Sequence, residues 1–425
     1  MDSSQNKKGS IFKKLWYRFI FLYIILYIYP YGFEYIQELT TSDISFWNGI
    51  TIWFGETFIG WDLNEDYLLN GFDSKYDYSR FLLIATLSVI GTIIWHFIDV
   101  KFKISYPSKL KVLLHTILRY HVGLTLIIYG LSKVFMLQFG EMDLNRLETS
   151  MGDQVGMSFL WTFMSYSKLY TMTSGWIEVI GGVLLLFRRS TFIGAFILFI
   201  AMANVVLIDI GYDVRVKMFA IHLFFMTLLL MSDHFKRIFN FFILNKTASS
   251  HVEFPLFTGK KAKRVGYTLK GTLLLYFLIS NIMNFSDRIH SQTDNRYPSL
   301  TRFHEIETFM INGDTIPVSS QDLAWKSLSI NGASYIPETL MITKESGYGN
   351  NFSFEADTLA KTIMFHPMRG DTNDIYTFTY KERSNGVFIF EGTHAQDTIW
   401  MKTKSKTLKD YQLTRQRFKW VTDGE

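Results

Sequence analysis

The chain has 425 residues, 48% hydrophobic and 17% aromatic, with a net charge of +5 and no cysteine. The lack of cysteine excludes disulfides, CxxC redox chemistry, c-type haem attachment, cysteine-ligated zinc and cysteine lipidation. The small, locally segregated charge argues against nucleic acid as a partner, and the long apolar blocks rich in Trp and Tyr argue for membrane spans over one soluble core.

Seven apolar segments follow one another: 15–33, 80–98, 112–136, 172–187, 191–209, 214–232 and 268–285. Each is near the ~20 residues a bilayer requires. The first follows a basic start and lacks an A-x-A-like cleavage site, so it reads as a retained span and not a cleaved signal peptide. Between the first two lies SFWNGITIWFGETFIGW (45–61), which contains Asn48, Glu56 and three Trp and reads as an interfacial helix on the outer surface. Lys and Arg concentrate before the first segment, between the second and third (Lys101, Lys103, Lys109, Lys111), at Arg188 and Arg189, and in the loop 236–264. The positive-inside rule then places the N-terminus in the cytoplasm and residues 286–425 outside. The loop 236–264 reads as a solvated face near anionic lipid. Residues 141–170 form a long outer loop in which WTFMSYSKLY is expected to be partly buried or re-entrant.

From about residue 290 the pattern changes to alternation with period two. ETFMINGDTIPV, KSLSINGASYI and YKERSNGVFIFEG each carry Asn-Gly between β-prone flanks, the strongest short hairpin signal. DIYTFTYKERSNGVFIFEGTHAQDTIWMKT reads as three successive antiparallel strands. An all-β barrel or sandwich is expected, with Trp325, Trp400 and Trp420 in its core or mouth. It would act either as a ligand-holding barrel or as a packed cap. No GxSxG, HExxH or P-loop occurs.

Polar residues inside the apolar segments are costly and invite a functional reading. At ~1.5 Å rise per residue, Lys133, Glu178, Asn204 and His222 share one level in the outer half of the membrane, with Asp209, Asp213, Arg215 and Lys217 nearer the outer surface. Glu178 then has Lys133 or Lys217 as counter-ion, with Asn204 and His222 nearby. Lys217 and Asp213, four residues apart, are also placed to pair with each other. Ser174, Glu178 and Gly182 share a helix face, and the glycine admits a close neighbour. The cluster is either a polar pocket for a headgroup or protons, or a structural ion pair. At the inner side stand His96, His115, Arg119 and His121. Their levels match poorly, which disfavours a haem ligated by two histidines. Arg119 reads as a lipid-phosphate ligand or a helix cap. No metal-ligand set is assigned.

YGLSKVFMLQF (129–139), SGWIEVIGGVLLLFRRS (174–190) and NVVLIDIGYDVRVK (204–217) together resemble the DoxX-like membrane proteins, over roughly residues 112–235. The resemblance implies a four-helix transmembrane bundle in a bacterial inner membrane. It also implies a link to quinone chemistry, because the namesake is a subunit of a thiosulfate:quinone oxidoreductase. Lys133, Glu178, Gly181 and Gly182 are the family-like positions. The whole chain looks like longer DoxX-type proteins of Bacteroidetes-like bacteria, which add flanking helices and an outer domain. The organisation expected is 1–111 (tail, two spans and outer loop), 112–235 (four-helix core), 236–289 (basic loop and last span) and 290–425 (periplasmic β-domain).

Three functions compete. In the first, a quinone-linked oxidoreductase component, Glu178, Lys133 and His222 carry the chemistry. Lys133, Glu178, Asn204 and Lys217 bind the quinone, and a redox partner protein supplies electrons. In the second, a non-enzymatic envelope protein holds membrane lipid or a periplasmic partner. A transporter ranks last, because no inverted repeat or pair of broken helices is evident.

Overall fold

The computed structural model describes residues 2–29, 41–63, 73–102, 107–247, 259–317, 320, 323–334, 336–369, 373–383 and 386–415. Trp420, residues 30–33 of the first expected span and residues 248–258 of the basic loop lie outside the described residues. The chain forms two compact units, residues 1–134 with 173–283, and residues 135–172 with 284–425. The second unit is therefore discontinuous. The expected boundaries put 135–172 with the membrane core, but this segment groups with the β-domain.

The first unit is helical. It contains α1 (Asp2–Ile28), α2 (Thr41–Phe54) and α3 (Lys75–Phe102), then α4 (Pro107–Val134). Two short helices of the other unit follow, α5 (Leu144–Glu148) and α6 (Gly156–Tyr166). The helical unit resumes with α7 (Lys168–Leu185), α8 (Thr191–Gly211), α9 (Lys217–Met231), the short α10 (Phe235–Ile238) and α11 (Lys260–Thr293). Among the described residues, the stretches 75–102, 110–134, 188–211, 217–243 and 260–293 are long and apolar enough to cross a membrane. That is five, against seven expected. Both remaining segments are helical, but α1 carries Lys7, Lys8, Lys13, Lys14 and Arg18, and α7 has 18 residues including Lys168 and Glu178. The expected interfacial segment is helical too. It runs through α2 and one π-turn to Gly60, where the backbone turns left-handed (φ +77°).

The packing core draws on more than four helices. Leu118, Val122 and Leu126 of α4, Leu185 of α7, Leu198 and Met202 of α8, and Leu223 and Met226 of α9 are joined by Ile24 and Ile28 of α1. Helices α4 and α7 approach through glycine. A methyl group on Gly130 would lie 2.6 Å from the Gly175 carbonyl oxygen, and one on Gly182 would lie 2.6 Å from that of Gly123. Each pair is seven residues apart on its own helix, so the two contacts fix an antiparallel register. Gly194 of α8 closes on α7 the same way, 2.8 Å from the Gly181 carbonyl oxygen. In lipid, where tails are as apolar as leucine, such close backbone contact is a main source of helix attraction.

The second unit is a closed antiparallel barrel. Its strands are β1 (Arg302–Ile311), β2 (Asp314–Thr315), β3 (Trp325–Ile330), β4 (Thr339–Lys344), β5 (Gly349–Asp357), β6 (Thr362–Pro367), β7 (Tyr376–Glu382), β8 (Val387–His394) and β9 (Asp397–Lys406). The short α12 (Gln412–Arg415) follows. Neighbours pair in sequence order, and β9 returns to β1, closing eight strands into a ring while β2 only extends β1. The register slips between Ile306 and Thr308, a bulge that helps the closing strand bend. Phe354, Phe365, Phe378 and Phe390 are fully buried inside. An eight-stranded ring is narrow enough for side chains to fill, and these phenylalanines form the centre of its buried core. Trp325 stacks on Phe309 at 5.2 Å in this core, whereas Trp400 points outward to Glu391.

The Asn-Gly signals fare unequally. Asn312-Gly313 makes the expected two-residue turn, with φ of +52° and +89° and Ile311 paired to Asp314. Asn331-Gly332 does not, because its loop is bound elsewhere. Asn145 N–H donates to the Gly332 carbonyl (3.2 Å) and Ser334 N–H donates to Asp143 (3.0 Å). At the third, β7 and β8 form the expected hairpin, but Asn385 lies outside the described residues.

Two predictions follow from this packing. Gly130→Ala or Gly182→Ala should cost about 1–3 kcal/mol of stability through overpacking. Gly211→Ala, with open space around it, should stay within about 0.5 kcal/mol of wild type, as read by unfolding in detergent. The second concerns His304, buried in the barrel wall with its Nδ1 3.0 Å from the Thr403 hydroxyl. Burial, helped by the nearby Arg302 charge, lowers its pKa to about 3. The unfolded chain takes up this proton at higher pH than the folded one. Barrel stability should therefore fall as pH drops from 6.5 towards 3, by up to about 1.4 kcal/mol per pH unit. His304→Leu should flatten that slope in denaturant titrations.

Candidate functional site

Two glycine contacts set the site. With Gly130 facing Gly175, Lys133 and Glu178 each lie three residues beyond the contact on antiparallel helices. At ~1.5 Å per residue they are roughly 9 Å apart along the axis. Side chains of a helix lean towards its N-terminus, so on antiparallel helices these two lean towards each other. The Lys133 ammonium pairs with Glu178 Oε1, and both side chains are buried, at 8% and 3% exposure. Of the two counter-ions open from sequence, the structure selects Lys133.

A second carboxylate completes the cluster. Asp209, in the last turn of α8, is buried and stands within electrostatic reach of Lys133, Glu178, Lys217 and Asp73. Among the described residues, Glu178 Oε2 and Asp209 Oδ2, both buried acceptors, have no hydrogen-bond partner. Lys133 thus acts on two carboxylates, paired with one and within electrostatic reach of the other, and each keeps one oxygen open to a donor. An open acceptor in an apolar setting is costly, and here two of them stand in one electrostatic cluster.

Lys217 has other partners. Its ammonium lies 2.7 Å from Asp213 and 3.5 Å from Asp73. This bond holds the Asp213 carboxyl below its usual range. Asp73 also accepts from the backbone N–H groups of Lys217 (2.8 Å) and Met218 (3.0 Å), capping α9. Sequence reasoning missed Asp73, which sits in an acidic loop 144 residues from its partner.

The remaining residues separate from this cluster. Asn204 is exposed on α8. His222 lies in an aromatic nest formed with α1 and α3, stacked on Tyr27 at 4.0 Å and edge-on to Phe81. Its Nδ1–H donates to the Met218 carbonyl (2.7 Å), leaving Nε2 to accept from Tyr23 (2.5 Å). At the other end of the bundle, Arg18 pairs with Asp99 and reaches His96 (3.3 Å), while Lys111 and His115 share Asp233. Arg119 donates to the Leu185 carbonyl at the end of α7 (2.9 Å), the capping role. His96 and His115 thus have different partners. Among the described residues, no group of three or more His, Asp or Glu gathers for a metal.

Residues 114–209 match the DoxX family, a stretch that contains Lys133, Glu178 and Asp209. Over 113 residues, covering 27% of this chain and 71% of the other, the sequence is 34% identical to a Bacillus subtilis (strain 168) protein named Uncharacterized protein YwoB. The chain belongs to the DoxX family. No solved structure matches it. The protein is thus a multi-pass membrane protein with a DoxX segment and a separate C-terminal barrel. The matched stretch ends before Lys217 and His222, so the Lys133–Glu178–Asp209 cluster is the part of the site that lies within the DoxX segment.

Breaking the pair from one side leaves a buried charge. Lys133→Met should cost about 3–5 kcal/mol, and Lys133→Met with Glu178→Gln should recover much of it. A double-mutant cycle by detergent unfolding measures the coupling, which should exceed about 1 kcal/mol.

Proposed function

We propose that this protein is a quinone-linked component of a bacterial inner-membrane oxidoreductase. The observation that carries this reading is the buried Lys133–Glu178 pair with two open carboxylate oxygens around it. The fit to a quinone is chemical: the lysine ammonium can polarise a carbonyl oxygen, and the open carboxylates can exchange its protons. Asp209 is the second proton-exchanging group in this reading, since His222 is tied to Tyr23. With no cysteine in the chain, electrons come from a partner protein. In this reading the bundle is a long form of the DoxX type with seven spans, α1 and α7 included, around a four-helix centre of α4, α7, α8 and α9. Its N-terminus is cytoplasmic and the barrel periplasmic, following the basic loops.

One observation favours a second reading, a non-enzymatic envelope protein. The barrel interior is filled with side chains, so that domain acts through its surface, as a module for a periplasmic partner would, and the bundle would hold lipid.

Extraction of the purified protein followed by mass spectrometry separates the two. The first reading expects stoichiometric quinone that is lost in Glu178→Gln and Lys133→Met variants of unchanged fold. Bulk phospholipid alone, unchanged in those variants, supports the second. Full quinone-dependent activity in Glu178→Gln would falsify the catalytic role.

A further inference from the structure

Two cations from different helices meet at the C-terminal end of α7. Arg119 of α4 donates to the Leu185 carbonyl (2.9 Å), and Lys270 of α11 donates to the next carbonyl, that of Leu186 (2.7 Å). Both also stand at one ring. The Arg119 guanidinium carbon is 6.0 Å from the centre of Tyr120, and Lys270 Nζ is 5.7 Å from it. The chain then turns through Arg188 and Arg189 into α8. All of these residues belong to the helical unit.

Helix capping accounts for only part of this charge. A helix C-terminus carries about half a negative elementary charge, less than one cation brings. The helices that supply the cations offer no carboxylate in return: residues 107–134, 179–208 and 260–286 contain no Asp or Glu. Among the described residues, Lys270 and Arg189 form no ion pair. Lys270 gives one of its three donors to Leu186, and Arg189 is exposed two residues beyond Phe187. The place therefore suits an anion with several acceptor oxygens.

The surroundings say which anion. Phe187, whose ring centre is 5.1 Å from Lys270 Nζ, is exposed. Tyr267 and Leu273, three residues to either side of Lys270, are exposed as well and lie beside it on the helix surface. Both α4 and α11 contain stretches long and apolar enough to cross a membrane. Lys and Arg together are a phosphate-binding pair, and apolar side chains beside them suit the hydrocarbon joined to that phosphate in a lipid.

We propose that Lys270 and Arg189, with Arg119 adding its field, bind the phosphate headgroup of an anionic phospholipid whose chains lie along Phe187, Tyr267 and Leu273. The lipid supplies the counter-charge and fastens α11 to the end of α7. Basic pockets between membrane helices are the usual setting for such headgroups.

The full-length protein in mild detergent would be titrated with phosphatidylglycerol, phosphatidylcholine and inorganic phosphate, and bound lipid counted by native mass spectrometry. One phosphatidylglycerol should bind in preference to phosphatidylcholine, and inorganic phosphate at the same concentration should not displace it. Arg189→Gln and Lys270→Met should each weaken phosphatidylglycerol about fivefold. Lys270→Arg, which keeps the charge, should restore the binding, and Lys381→Gln, an exposed site on the barrel, should not alter it. Arg189 is exposed, so its variant tests the site without disturbing the cap on α7, and circular dichroism checks each fold. Equal affinity for the two lipids, or phosphatidylglycerol binding unchanged in Arg189→Gln and Lys270→Met, would overturn the proposal. Displacement by inorganic phosphate would overturn the lipid as occupant in favour of free phosphate. None of these results bears on quinone at Lys133 and Glu178, so the two proposals fail separately.

Discussion

A charge placed in hydrocarbon must be matched where it lies, and the bundle is arranged around that demand. Glu178 can be buried because Lys133 reaches it, and Lys133 can reach because Gly123, Gly130, Gly175 and Gly182 bring two backbones nearly into contact. Any side chain at those glycines would push α4 and α7 apart and stretch the ion pair. The helix packing and the electrostatics are thus one constraint. Asp209 adds a second carboxylate to a place that holds one ammonium, so the cluster is matched in position but left with open acceptors.

The barrel solves a different problem by a different means. Its eight strands pair their backbones with neighbours all the way round the ring, and inward side chains form its buried core. Unusually, part of its wall comes from elsewhere in the chain. Asn145 binds Ser329 and Gly332, and Glu148 accepts from Lys406 and Tyr411. A cavity of about 320 Å³ lies among Asp143, Ser334, Asn331, Asn295 and Gln292. Most of its polar groups already satisfy one another: Asp143 accepts from Ser334, and Asn331 donates to Asn295.

Legibility in the sequence followed physical range. Helices and strands declare themselves through periodicity, so the helical region and the β-rich end were visible. Depth along a helix can also be counted, which brought Lys133 and Glu178 to one level. Rotation about the axis cannot be counted so safely. Asn204 and His222 sit at suitable depths, yet one is exposed and the other faces the aromatic residues of α1 and α3. Long-range partners were hidden altogether: nothing near Asp73 announces that it caps α9, and nothing near Asn331 announces that Asp143 and Asn145 will hold its loop open. The Asn-Gly pair there carried the right local signal, and tertiary bonds overrode it.

The discontinuous barrel unit also has an order of birth. Its segment 135–172 leaves the ribosome before α8, α9 and α11, whereas the strands it binds come last. Closure joins β1 to β9, so the ring cannot shut until β9 has been made. Until then Asn145 and Glu148 wait without their partners, and β1 and β8 are open edges, the kind of surface that invites wrong pairing. A chain stopped short of β9 would carry an intact DoxX segment together with an unclosed sheet. Completion of the barrel therefore reports that β9 has been made, and until that moment its two open edges mark the sheet as incomplete.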